Sequence, residues 1–472
     1  MISPVIIPIV FLAVIILMLL GYNRTLITLV GAVISSIVLM IDAIPFNNII
    51  EFMVGNTPDY KNLSTIVLIF GILIITSICN DSGVFSFISL KIIQKSHGNK
   101  YIMLVLLCIL AFAISFMLNN ILSMIILIPL TITTCRILMI NPIPYLIVQM
   151  IVANTGCLVF MISSFSNVLI AAAAPWSFNQ FFFNVGLFSF LLFAIVVIYF
   201  SLMYKTRLET PQKRLIDMLE QYNAWLFVKS RRLFYMSLCT LIATIALFVL
   251  LPNFGVKLDI IAITAGMLLL IATGKNIDSF LKKLDFQLII YLLGIFLIVG
   301  AIEFEGVLNP IAAGLKTLTA GNPLSTSLVI LWLTAGISSG TDNIPLAKIL
   351  IPITQNLTTG FTATDKNMVF SAFVYGIHLG DNFLPQGDNI IVALQLIKTY
   401  EQKVPIKEFL RIGPLISVIQ LTAVSLFLMA LSNYQIFLYV LIFIFACFIV
   451  IVVISQYRHQ TSKLLGKNFL IP

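Results

Sequence analysis

The stretch ISSGTDNIPLAKILIPIT, residues 337–354, sets an aspartate (Asp342) and a lysine (Lys348) among apolar and neutral residues. A carboxylate beside amides such as Asn343 offers hard oxygen ligands suited to Na⁺. The same carboxyl can hold a proton instead, and competition between the two is what ion coupling requires. Helical side chains lean toward the N-terminus, so Lys348 can reach back and pair with Asp342. It can equally serve as counter-ion to an anion, or as an ammonium standing in for a bound cation. A second acid-rich stretch, GIHLGDNFLPQGDN (376–389), carries His378, Asp381 and Asp388. Asp388 can bind an ion or merely cap the helix that follows it. His378 reads as a packing histidine before a proton relay, and Glu303 and Glu305 as solvated at a helix end.

The elements that must position these groups are membrane helices. The chain has 472 residues, 60% hydrophobic and 10% charged. A soluble domain carries about 25% charged residues. Apolar runs of spanning length recur from end to end, at about 2–20, 25–41, 63–79, 144–174, 182–204, 233–251, 258–274, 286–302, 368–399, 413–432 and 434–456. No alternating pattern supports a β-barrel. Residues 1–20 lack a basic leader and a small-residue cleavage site, so they read as a first membrane helix. The six cysteines lie in or beside apolar runs without zinc spacing, as small buried hydrophobes. The net charge of +9 reflects loop lysines and arginines on one face of a membrane, not nucleic-acid binding.

The chain repeats. Residues 114–131 (ISFMLNNILSMIILIPLT) match 337–354 at nine of 18 positions without a gap, at an offset of 223. Ser115/Ser338, Asn120/Asn343, Pro129/Pro352 and Thr131/Thr354 are the informative identities. Gly71/Gly294 and Gly83/Gly306 keep the same register, and SSFSNV (163–168) faces PQGDNI (385–390) one residue out of it. The pairs 101–118 with 121–140 and 323–340 with 344–358 then read as re-entrant hairpins. Each repeat so has five crossings, an odd number, and the second copy is upside down. Of the 27 lysines and arginines, 22 fall on the side of the 204–232 loop. Four (Lys61, Lys257, Lys316 and Lys366) fall opposite, and Lys348 stays inside. The positive side is cytoplasmic, which puts the N-terminus outside and the C-terminus inside a cell membrane. The expected fold is an all-α polytopic membrane protein of two inverted repeats, each with a re-entrant hairpin and a broken helix, about 11 crossings in all. Its parts are a first repeat (1–204), a basic cytoplasmic linker (205–232), a second repeat (233–432), and an extra membrane helix with a basic tail (433–472). Hairpins and broken helices in inverted duplicate are how secondary transporters place a site at the bilayer midplane.

Here the chain resembles the ion transporter superfamily of citrate-transporter-like permeases, divalent-anion:sodium symporters, arsenite permeases and one type of sodium/proton antiporter. The residues that carry the resemblance are the tips LNNILSMIILIP (118–129) and TDNIPLAKILIP (341–352), the breaks SSFSN (163–167) and PQGDN (385–389), and NDSGVFSFISLKI (80–92). Two departures stand out. The tips are Leu118-Asn119-Asn120 and Thr341-Asp342-Asn343 rather than the serine-asparagine-threonine of dicarboxylate symporters, and His378, Asp381 and Asp388 stand where relatives are mostly small and neutral. The resemblance implies one half-site from Asn119, Asn120, Ser163, Ser164, Ser166 and Asn167. The other half would come from Asp342, Asn343, Gln386, Asp388 and Asn389; Thr341, Lys348 and Asp381 complete the candidate binding residues. Na⁺ candidates are Asn120, Asp342, Asn343 and Asp388. It implies a homodimer and an ion-coupled transporter, not an enzyme, with no cofactor beyond the coupling ion, Na⁺ or H⁺. Acids in the second half-site favour Na⁺/H⁺ antiport. Lys348 and the neutral first half-site favour Na⁺- or H⁺-coupled symport of an anion such as citrate or a dicarboxylate, or an arsenite-type anion permease. Two other classes fit poorly. GISSG (336–340) matches the nucleophile-elbow spelling of a protease but lies in a helical arm, where that elbow needs a strand-to-helix turn. Channels favour rings rather than inverted halves. The charge split makes a direct prediction: a tag in 204–232 is labelled only from the cytoplasm and a tag at Lys366 only from outside. Labelling of both from one side rejects the inverted arrangement.

Overall fold

Helices are the only way a single chain can satisfy its backbone within lipid without closing a barrel, and the computed structural model is helical throughout. It describes residues 2–56, 60–97, 99–118, 120–204, 208–221, 223–274, 286–433 and 435. The helices are α1 (Ser3–Leu19), α2 (Arg24–Ile41), α3 (Phe46–Val54), α4 (Lys61–Ser82), α5 (Val84–Gln94), α6 (Lys100–Met117), α7 (Asn120–Leu138), α8 (Ile143–Gly156), α9 (Phe165–Ala173) and α10 (Phe178–Met203). After α11 (Lys213–Glu220) follow α12 (Arg231–Leu250), α13 (Leu258–Ala272), α14 (Phe286–Phe304), α15 (Asn309–Thr319), α16 (Pro323–Ser338), α17 (Asn343–Leu357), α18 (Ala363–Gly380), α19 (Asp388–Thr399) and α20 (Ile406–Ser432). Among the described residues, seven helices are long and apolar enough to cross a membrane by themselves. The expected helix at 434–456 lies outside the described residues.

Asparagines and an aspartate start several of these helices by accepting an orphan backbone N–H. Asn23 accepts from Leu26, Asn99 from Tyr101 and Ile102, Asn322 from Ser325, and Asp342 from Ile344. Leu, Ile and Phe side chains left exposed on α1, α2, α12 and α13, such as Leu12, Ile37, Ile242 and Leu268, form the faces a bilayer would cover.

The helix order of the first repeat recurs in the second. α1 and α2 correspond to α12 and α13, α4 to α14, amphipathic α5 to α15, hairpin α6–α7 to α16–α17, split pair α8–α9 to α18–α19, and α10 to α20. The packing is reciprocal. α2 lies on α14 and α13 on α4, while α7 lies on α19 and α9 on α17. Each hairpin's return arm therefore rests on the far half of the other repeat's broken helix, as a pseudo-two-fold relation demands. Below, α2, α4, α13 and α14 are called the frame.

The glycines that hold register in the sequence now have reasons. A Cβ on Gly71 would meet Ile263 N of α13 at 2.6 Å, and one on Gly294 would meet Thr28 Cγ2 of α2 at 2.7 Å. Both frame crossings need a bare backbone. Gly83 and Gly306 take φ of +84° and +68°, the left-handed turn that ends α4 and α14 and throws the chain into α5 and α15. Among elements the sequence reading passed over are α3 and α15, which are too short or too polar to score as spans.

A contact made through backbone cannot yield, so Gly71→Ala should overpack the α4–α13 crossing and cost about 1–3 kcal/mol. Gly314, in α15, has open space around its Cα, so Gly314→Ala should be neutral or slightly stabilising. Thermal unfolding in detergent separates the two; equal midpoints would refute the close crossing.

Candidate functional site

The second hairpin and the second broken helix meet at three side chains. α16 ends at Ser338, the tip turns through 339–342, and α17 opens at Asn343. α18 stops at Gly380, and residues 381–387 run non-helically before α19 begins at Asp388. Two glycines on α18 bring the elements close. Gly376 lies against the Leu331 carbonyl of α16, and Gly380 against the backbone of Ala335. Ser338 and Asp381 are fully buried and Asn343 nearly so.

The hydrogen bonds do not balance. Ser338 Oγ lies 3.0 Å from Asn343 Oδ1, 2.6 Å from Asp381 Oδ1, and within bonding distance of the Ile377 carbonyl. Asn343 Nδ2 donates to Asp381 Oδ2 at 2.6 Å. A hydroxyl has one proton. Three acceptor oxygens surround it, so two close oxygen pairs repel unless another proton or a cation joins them. A proton on Asp381 relieves the worst of this. The carboxyl then donates to Ser338, and Ser338 donates to Ile377. A second proton or a small cation in this cluster would relieve the crowding.

The equivalent place in the first repeat is neutral. Ser115 Oγ donates to the Ala153 carbonyl at 2.7 Å and lies 3.3 Å from Cys157 Sγ, with the Asn120 backbone also bonded to that thiol. Cys157 thus stands where the second repeat has Asp381. Asn120 is buried, and Asn119 lies outside the described residues. Ser163 ties the break to hairpin α6–α7 through the Phe116 carbonyl at 2.7 Å, and Ser164 and Ser166 bond each other at 2.9 Å. Asn167 Nδ2 donates to the Cys157 carbonyl at 2.7 Å, and its Oδ1 meets His378 Nε2 at 2.6 Å. His378 is fully buried and links the two repeats through this contact, while its Nδ1 is buried without a hydrogen-bond partner among the described residues. A second cross-repeat strut runs from Asn154 Nδ2 to Asn382 Oδ1 at 2.8 Å, and a third from Gln420 Nε2 to Thr155 Oγ1 at 3.0 Å.

Not every expected group joins this cluster. Asp342 caps α17 through Ile344 N at 2.9 Å and pairs with Arg24 Nη1 of α2 at 3.5 Å. It lines a cavity of about 410 Å³ with Arg24, Thr341 and the exposed Gln386. Thr341 Oγ1 turns back to the Ile337 carbonyl at 2.9 Å. Asp388 and Asn389 open α19, and their side chains lie outside the described residues. Of the roles open to Lys348, the ion pair with Asp342 is not formed. Lys348 Nζ instead donates to Asn62 Oδ1 of α4 at 2.9 Å and lies 4.9 Å from the Phe296 ring centre. The reason is that Arg24 takes the carboxylate, while Lys348 points from the middle of α17 into a separate cavity of about 540 Å³, shared with Lys61, Glu51 and Glu303. Sequence reasoning gave no site role to Ser338, Cys157, Asn154, Asn382 or Arg24. Ser338 carried a signal, its identity with Ser115, but that served only to set the repeat register. No sequence pattern marks the other four.

The comparisons with known proteins agree with this architecture. The family model described as Citrate transporter (CitMHS) matches residues 1–376. A 46 kDa membrane protein of Mycobacterium leprae is 23% identical over 365 residues, covering 77% of this chain and 85% of that one. An uncharacterized transporter of Mycobacterium tuberculosis is 24% identical over 368 residues, with the same coverage. The magnetosome protein MamN of Magnetospirillum gryphiswaldense is 26% identical over 304 residues, covering 62% of this chain and 67% of that protein. The crystal structure of the Alcanivorax borkumensis YdaH transporter superposes with a TM-score of 0.52 at 14% identity, covering 77% of this chain and 83% of the other. That likeness shows a shared fold. With two hairpins, two broken helices and a family match over most of its length, the chain belongs to the citrate transporter (CitMHS) family of membrane transporters.

Proposed function

We propose that this transporter is an ion-coupled secondary carrier working by alternating access, and that it exchanges Na⁺ for H⁺ at the half-site of Ser338, Asn343 and Asp381. The observation that carries this reading is the acceptor surplus around Ser338. A buried carboxylate with one amide N–H from Asn343 and only a share of one hydroxyl proton is unfavourable unless a small cation sits with it. H⁺ and Na⁺ both suit that place, and only one fits at a time. The titratable groups facing Asp381 do not offer a fixed counter-charge. His378, one turn earlier, spends Nε2 on Asn167, and Asp342 at the tip is bound by Arg24.

A second reading, symport of an anion such as citrate or a dicarboxylate, draws on the family description and on Lys348 with Lys61 in the cavity beside α17. We further propose a multi-pass plasma-membrane protein with its N-terminus outside and its C-terminus inside, carrying its cargo without a cofactor and assembling as a homodimer.

Sodium-loaded and sodium-free proteoliposomes decide between the two. Under exchange, an inward Na⁺ jump alkalinises the lumen with no organic anion present. If labelled citrate or succinate accumulates with Na⁺ and no proton moves in its absence, the symport reading replaces exchange. The sign of the pH effect follows from the carboxyl: low pH keeps Asp381 protonated and excludes Na⁺, so Na⁺ movement rises with pH. Asp381→Asn keeps the shape and removes the titration. It should cut Na⁺-driven proton movement by at least roughly tenfold, about 1.4 kcal/mol, and flatten the pH profile. A wild-type pH profile in Asp381→Asn would exclude Asp381 as the coupling group.

A further inference from the structure

Hairpin α16–α17 is fixed to the frame at two points by cations, and hairpin α6–α7 has no charged counterpart at those places. At the tip, Arg24 of α2 holds Asp342 at 3.5 Å and lies 5.3 Å from the ring centre of Tyr291 on α14. Halfway along the return arm, Lys348 donates to Asn62 of α4 at 2.9 Å and sits over Phe296, also on α14, at 4.9 Å. Asn62 is itself held, its Nδ2 donating to the Phe52 carbonyl at 3.0 Å. The two cations thus straddle one frame helix, each against an aromatic face that rewards a partly desolvated charge. At the offset of 223, Lys348 corresponds to Ile125, which is 40% exposed, and Asp342 corresponds to Asn119.

We propose that Arg24 and Lys348 are positioning residues that latch hairpin α16–α17 to α2, α4 and α14, and that both contacts must release before the hairpin moves to expose the Ser338–Asn343–Asp381 half-site. The second clause rests on the alternating-access reading; the latch itself does not. Contacts of this kind are lost together when the hairpin slides, because the partners sit on three different frame helices. Neutralising either cation should therefore loosen the second hairpin alone.

Hydrogen–deuterium exchange on the full chain in nanodiscs tests the latch without any transport measurement. Arg24→Gln and Lys348→Met should each raise amide exchange in 339–357 by roughly threefold or more, while 100–138 of the first hairpin stays at the wild-type rate. Lys348→Arg keeps a cation over Phe296 and should restore wild-type exchange. Should Lys348→Met fail to fold, Asn62→Leu removes the same contact from the frame side. Unchanged exchange in 339–357 overturns the proposal, and so does an equal rise in both hairpins, which would indicate general loosening. In proteoliposomes the same variants should alter turnover while keeping the wild-type pH midpoint. A moved midpoint would make Arg24 or Lys348 part of the ion site and overturn the latch. Loss of all ion dependence in the wild type would remove the carrier reading and leave the exchange result intact.

Discussion

One hydroxyl proton shared among three oxygens is the constraint on which the rest of the arrangement depends. Ser338 can satisfy one of Asp381, Asn343 and the Ile377 carbonyl. The surrounding structure holds all four in place nonetheless. Gly376 and Gly380 let α18 lie against α16, the tip fixes Asn343 at the start of α17, and the split after Gly380 turns Asp381 inward. In water such crowding would relax at once. In a dry, close-packed interior it persists, so a small positive charge bound there, as proposed, would bear on the fold.

Duplication supplies the geometry and divergence supplies the chemistry. Both repeats place a serine on the first hairpin arm against the end of a split helix. In one repeat that serine meets Cys157, in the other Asp381. The neutral half needs no added charge, and its polar groups are spent on struts: Asn167 to Cys157 and His378, Ser163 to Phe116. The acidic half crowds three acceptor oxygens around one hydroxyl. The same asymmetry extends outward to Ile125 against Lys348. A transporter made of two identical halves would have no preferred place for a coupling ion; the proposed exchange draws on the difference between these two.

Much of the fold was legible because membrane physics leaves few options. Length of apolar runs marked the helices, the Gly71/Gly294 and Gly83/Gly306 pairs held the repeat register, and Asn120/Asn343 marked the tips; that the glycines serve close crossings and left-handed helix ends shows only in three dimensions. The site was legible only in outline. Asp381 and Asn343 were visible as an acid and an amide near breaks. That Ser338 joins them depends on a crossing of α16 and α18, which a linear pattern does not encode. Of the roles open to Lys348, the pair with Asp342 is not formed; helical spacing says which residues share a face, not which frame helix lies opposite. Arg24, far away in sequence and at the start of a helix, gave no hint that it would take that carboxylate.

The central claim is that Asp381 carries a proton that Na⁺ displaces. Infrared difference spectroscopy on the protein in lipid reads this directly. On adding Na⁺, a carboxylic-acid C=O band should vanish and a carboxylate band appear, and both should be missing in Asp381→Asn. A band assigned to Asp381 that is already carboxylate without Na⁺, and is unmoved by adding it, would contradict the account.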